Sequence, residues 1–125
     1  MLRKSIIVLA LGLLLAAPAT ARQYFDGTML VSPNVYVIDF QGTRLSIHTE
    51  VPFSEIVRSS IVLHGVNGAT ITPVAVFSDL RGNLVAKFSA EAMLKIVEIP
   101  RTDLTLTGLY TEGGDFALHA TITVK

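Results

Sequence analysis

A mostly β fold, a single sandwich of about seven short antiparallel strands, is what this 125-residue sequence predicts. Three observations carry the prediction. After Arg22 turn residues recur roughly every ten positions, the rhythm of an all-β sandwich or barrel. The segments between them alternate apolar and polar side chains with a period of two. Only two stretches, about 52–57 and about 89–97, show helical spacing.

Residues 1–21 stand apart from that pattern. Arg3 and Lys4, the uncharged apolar run from Ile6 to Ala17, and Ala19-Thr20-Ala21 supply the basic start, apolar middle and small-x-small end of a secretory signal. The apolar run contains Gly12 and ends at Pro18, well short of the roughly 20 apolar residues a membrane span requires. The expectation is a cleaved leader of bacterial form, a mature chain starting at Arg22, and release into the periplasm or outside. No stable membrane insertion is expected after cleavage, and with no cysteine there is no lipoprotein anchor. The expected layout is a signal peptide at 1–21, an irregular segment at 22–34 and the sandwich domain at 35–125.

Without the leader about a hundred residues remain, enough for one domain with one core. Eight basic residues then face ten acidic ones, so no broad cationic field is available for nucleic acid or anionic lipid. The absence of cysteine removes disulfides, thiol nucleophiles, zinc–thiolate sites and covalent haem. Stability must come from packing and backbone pairing alone.

The elements follow in order. Asp26-Gly27 and Ser32-Pro33-Asn34 read as turns, and Val35 to Phe40 as the first strand. Gln41-Gly42 turns the chain into a strand over 43–51, with Leu45, Ile47 and Val51 on one side and Arg44, Ser46, His48 and Glu50 on the other. Pro52 to Val57 is a short helical crossing. Ile61 to Val66 and Ala69 to Ser78 are strands joined at Asn67-Gly68, a pair suited to a type I′ turn. A second hairpin is centred on Asp79-Leu80-Arg81-Gly82-Asn83 and leads into Leu84 to Phe88.

Ser89 caps the one short helix, with Glu91 in its first turn and Met93, Leu94 and Val97 as its packing face. Leu104 to Tyr110 resumes strand structure. The last strand places Phe116, Leu118, Ala120, Ile122 and Val124 on one face and Ala117, His119, Thr121, Thr123 and Lys125 on the other. Strands of this number and length, with two helical crossings, predict an immunoglobulin-like sandwich.

A set of short motifs recurs in order along the chain: Phe53-Ser54-Glu55-Ile56-Val57, Leu63-His64-Gly65, Asp79-Leu80-Arg81-Gly82-Asn83-Leu84-Val85-Ala86-Lys87-Phe88, Leu104-Thr105-Leu106-Thr107-Gly108 and Gly113-Gly114-Asp115-Phe116. In this order Leu45 to Lys125 resembles an immunoglobulin- or fibronectin-like β-sandwich module of secreted bacterial proteins, whose function is unassigned. The resemblance implies the fold and no activity. Where such modules expand the Asp-x-x-Gly turn into an acidic loop suggestive of calcium, this chain has only Asp79 beside Arg81.

Chemistry-bearing residues are few. His48 and His119, on the polar faces of their strands, are the candidate metal ligands, able to hold copper or zinc if those strands are neighbours. His64 is the third histidine. No Gly-x-Ser-x-Gly elbow occurs, and Glu50 with Glu55 or Glu91 with Glu98 are spaced like ordinary solvated carboxylates. No catalytic residue and no cofactor is assigned. Pro73, Arg44, Glu50 and Lys87 read as guards of exposed strand edges, where an extended partner adds a strand. The function expected is a non-catalytic structural or protein-interaction module of the cell envelope or extracellular space, with a protein partner; the alternative is a periplasmic copper- or zinc-binding protein.

Overall fold

A computed structural model describes residues 24–38 and 44–125. The leader at 1–21, the cleavage point before Arg22 and the Gln41-Gly42 turn lie outside them. The described residues form ten strands: β1 (Tyr24–Thr28), β2 (Leu30–Ser32), β3 (Val35–Tyr36), β4 (Leu45–Pro52), β5 (Val62–His64), β6 (Thr70–Ile71), β7 (Ala75–Ser78), β8 (Asn83–Phe88), β9 (Arg101–Leu109) and β10 (Asp115–Val124). One sheet has the order β1-β10-β9-β5-β6, with β3 also on β10, and the other has β2-β4-β8-β7. The second order is the A-B-E-D arrangement of an immunoglobulin domain, and β5, β9 and β10 take the places of C, F and G. The fold is a mostly β, immunoglobulin-like sandwich.

The alternating strands fold as their period dictates. Leu45, Ile47, Thr49 and Val51 of β4 point inward, and so do Leu84, Ala86 and Phe88 of β8 and Leu104 and Leu106 of β9. The long β9–β10 ladder pairs Asp115 with Leu109 through to Thr123 with Arg101. Gly108 lies under Phe116: a Cβ at that position would stand 2.5 Å from the ring and 2.8 Å from Ile61, so only glycine fits.

Three expectations need correction. Within the segment expected to be irregular, residues 24–28 and 30–32 form strands: β1 pairs in parallel with β10, from Tyr24 beside Asp115 to Thr28 beside His119, and β2 pairs with β4 in the opposite sheet. The first described stretch of strand thus switches sheets at Met29 and returns as β3, again parallel to β10, so the pairing is not wholly antiparallel. Ala69 to Ser78 is two strands, not one. Pro73 lacks the N–H a ladder needs, and the chain crosses there from β6 in one sheet to β7 in the other.

The helical stretches are shorter than expected. Two 3₁₀ turns, Phe53–Glu55 and Arg58–Ser60, make the first crossing. A single α turn, α1 (Ala90–Met93), begins at Ser89, whose hydroxyl accepts the Ala92 N–H at 3.1 Å. Tighter turns follow, Lys95 N–H to the Ala92 carbonyl and Ile96 N–H to that of Met93, and they rotate Leu94 into solvent. Ile96 takes the core place beside Met93. The fully buried Tyr36 donates its hydroxyl to the Ala90 carbonyl at 2.7 Å, which fastens β3 to this end of the sandwich. Burial raises its pKa.

Candidate functional site

His48 and His119 occupy different sheets. β4 and β10 are not neighbours, and both side chains are exposed on the outward face of their own strand, with the core between them. The condition for a shared copper or zinc ion is therefore not met by this pair. Among the described residues no group of three or more histidine, aspartate or glutamate side chains is placed to hold a metal ion.

His48 sits instead at an open groove of about 700 Å³ lined by Leu30, His48, Glu50, Asp79 and Arg81. Asp79 opens the turn that bounds it. Its Oδ1 accepts the Arg81 N–H at 2.8 Å and the Asn83 N–H at 2.9 Å. The Asn83 amide, then that of Arg81 and the charges of Arg81 and His48, hold the Asp79 carboxyl below its ordinary pKa. This oxygen is engaged in shaping the hairpin, in which Gly82 adopts φ +86°.

The histidine that shares a face with His119 is His64. The registers place Thr70, His64, Thr105, His119 and Thr28 side by side across β6, β5, β9, β10 and β1. His64 Nε2 is hydrogen-bonded to Thr107 Oγ1 at 2.9 Å, and His119 Nδ1 to Thr105 Oγ1 at 3.2 Å. Beside them the Thr121 hydroxyl donates to Asp103 Oδ1 at 2.6 Å. The signal for this row was present in Leu104-Thr105-Leu106-Thr107 and Ala120-Thr121-Ile122-Thr123, two alternating strands joined by a short glycine-rich turn. Pairing them as a hairpin brings Thr105 opposite His119.

The third feature is the edge strand β7. Among the described residues it is hydrogen-bonded to β8 alone, from Ala75 beside Lys87 to Ser78 beside Leu84. The hairpin closes with Asp79 N–H donating to the Asn83 carbonyl at 2.9 Å. Counting back by twos, Phe77 and Ala75 turn their backbone groups toward β8, and Val76 and Ser78 turn theirs outward. Three large apolar side chains stand exposed along this edge: Val74 at 54 %, Phe77 at 40 % and Leu80 fully. Glu50 and Lys87, expected as edge guards, lie on the central strands β4 and β8. Lys87 does reach the edge, with Nζ 5.5 Å from the centre of the Phe77 ring. A short strand bounded by Pro73 and a glycine turn was the sequence signal for the edge; reading 69–78 as one strand concealed it.

These faces and edges belong to a chain that no family model matches and that no curated protein matches in sequence.

Proposed function

We propose that the protein is an exported, non-catalytic protein-interaction module of the bacterial envelope or extracellular space, and that it takes an extended partner segment along β7. One observation carries this reading: among the described residues the sheet ends at a strand paired on one side only, with Phe77 exposed on it and Val74 and Leu80 exposed at its ends. Strand addition at such an edge draws affinity from backbone hydrogen bonds and specificity from alternate side-chain pockets. The leader-like residues 1–21 support the compartment.

The test is a photo-reactive residue placed at position 77, with position 121 on the opposite sheet as reference, in cells expressing the full chain. Adducts from position 77 that are absent from position 121 are the expected result. Equal labelling from both positions, or none from either, would remove the β7 edge from consideration.

A further inference from the structure

Resting on that interaction-module reading, we infer that the segment received by β7 is β7 of a second copy of this chain, paired antiparallel about a two-fold axis at Phe77. The argument is the symmetry of the edge. Val74 and Leu80 each lie three residues from Phe77 and just outside β7, Val74 with its N–H bonded to the Lys87 carbonyl and Leu80 in the turn that Asp79 and Asn83 close. An antiparallel pair centred on Phe77 sets that exposed ring against its own counterpart and brings the Val74 end of one copy to the Leu80 end of the other.

The backbone fits the same register. Val76 falls opposite Ser78 of the second copy, and these are the residues whose N–H and C=O groups turn away from β8. They form the hydrogen-bonded pairs, and Phe77 occupies the non-bonded position where side chains approach most closely. A register shifted by one residue would bring inward-turned groups opposite outward-turned ones and leave the ladder unmade.

Charge agrees as well. Lys87 lies beside the small Ala75 in the β7–β8 ladder, and Ala75 falls opposite Asp79 of the second copy. A lysine and an ionised aspartate therefore flank one alanine on the same face, twice by symmetry. Two four-stranded sheets then run on as one of eight strands. Contact along so short a strand falls below the roughly 1,200 Å² of a standard complex, so the dimer is weak and concentration-dependent.

The absence of cysteine makes the register directly readable. In a non-hydrogen-bonded antiparallel pair the Cα atoms stand about 4.5 Å apart, within disulfide range. Purified Phe77→Cys is expected to form a disulfide-linked dimer under a glutathione redox buffer. Ser78→Cys, which lies opposite Val76 and not its own counterpart in this register, is expected to stay monomeric. Sedimentation of the unmodified protein should show mass rising with concentration. Phe77→Lys, which sets like charges face to face, should weaken association at least tenfold with unchanged circular dichroism. Monomeric Phe77→Cys at millimolar protein, or cross-linking by Ser78→Cys alone, would overturn the inference. A purified protein that stays monomeric while position 77 still captures another polypeptide in cells would overturn self-pairing and leave the interaction-module reading standing.

Discussion

Thr49 shows how one side chain sustains a break in a ladder. The β4–β8 register shifts between His48 and Pro52, and within that gap the buried Thr49 hydroxyl donates to the Leu84 carbonyl at 2.9 Å and accepts the Val51 N–H at 3.1 Å. Thr49→Val keeps the shape and leaves two buried backbone groups without partners. A loss of about 2–6 kcal/mol is expected by urea denaturation, given about 1–3 kcal/mol for each of the two unmet groups. Thr49→Ser, which keeps the hydroxyl, should recover most of it. Asp79 gives the residue-scale pH effect. Its folded pKa lies below the ordinary 3.8, so its contribution is present above the unfolded value and is lost as pH falls through the folded one. Asp79→Asn can keep the turn's acceptor while losing the titration. The stability gap between the two proteins should therefore close as pH drops below 3.8 and stay level above about 5. A gap constant across that range would mean the carboxylate charge contributes nothing to the turn.

Which elements the sequence disclosed depends on how local their cause is. β4 and β10 alternate over eight or more residues, and their inward sets were legible from the period alone, whereas in β8 Leu84, Val85 and Ala86 are buried in succession. The Asn67-Gly68 turn was legible too: both residues take positive φ, 55° and 75°, and Ala69 N–H closes on the Val66 carbonyl at 2.9 Å, a type I′ turn. β1 and β2 were not. They are short, they contain Gly27 and precede Pro33, and their partners lie far along the chain in β10 and β4, where no local propensity reports them. The site divided the same way. The outward positions of His48 and His119 followed from alternation, but their separation followed from strand order, which no local pattern contains. Val31 tests the recovered N-terminal strand. It is buried at 6 % exposure in β2, and Val31→Asp would bury an unpaired carboxylate, a loss of about 3 kcal/mol or more. An unchanged denaturation midpoint would return 24–32 to the status of a loose segment.

At the scale of the whole molecule, a chain without disulfides holds its two sheets together through one continuous apolar cluster that runs from Met29 through Ile47, Leu63, Phe88, Met93 and Leu106 to Val124. Sheets packed face to face in this way stand about 10 Å apart, and that thickness governs what the histidines can do together. Side chains on the two outward faces point away from each other, so one ion cannot bind His48 and His119 at once. His64 and His119 do share a face, but Thr105 lies between them in register and their ring nitrogens are hydrogen-bonded to Thr107 and Thr105. Zinc or copper should therefore meet these histidines as separate, weak monodentate sites. Followed by the histidine ring signals in NMR during titration of residues 22–125 with zinc, His48→Ala is expected to leave the His119 response unchanged, and His119→Ala that of His48. The affinity of each remaining site should move less than about twofold. A chelate would behave differently, because losing one of two ligands to a shared ion weakens binding by one or more orders of magnitude. Such a loss in either single variant would require β4 and β10 to lie side by side, against the strand order on which the sandwich is built.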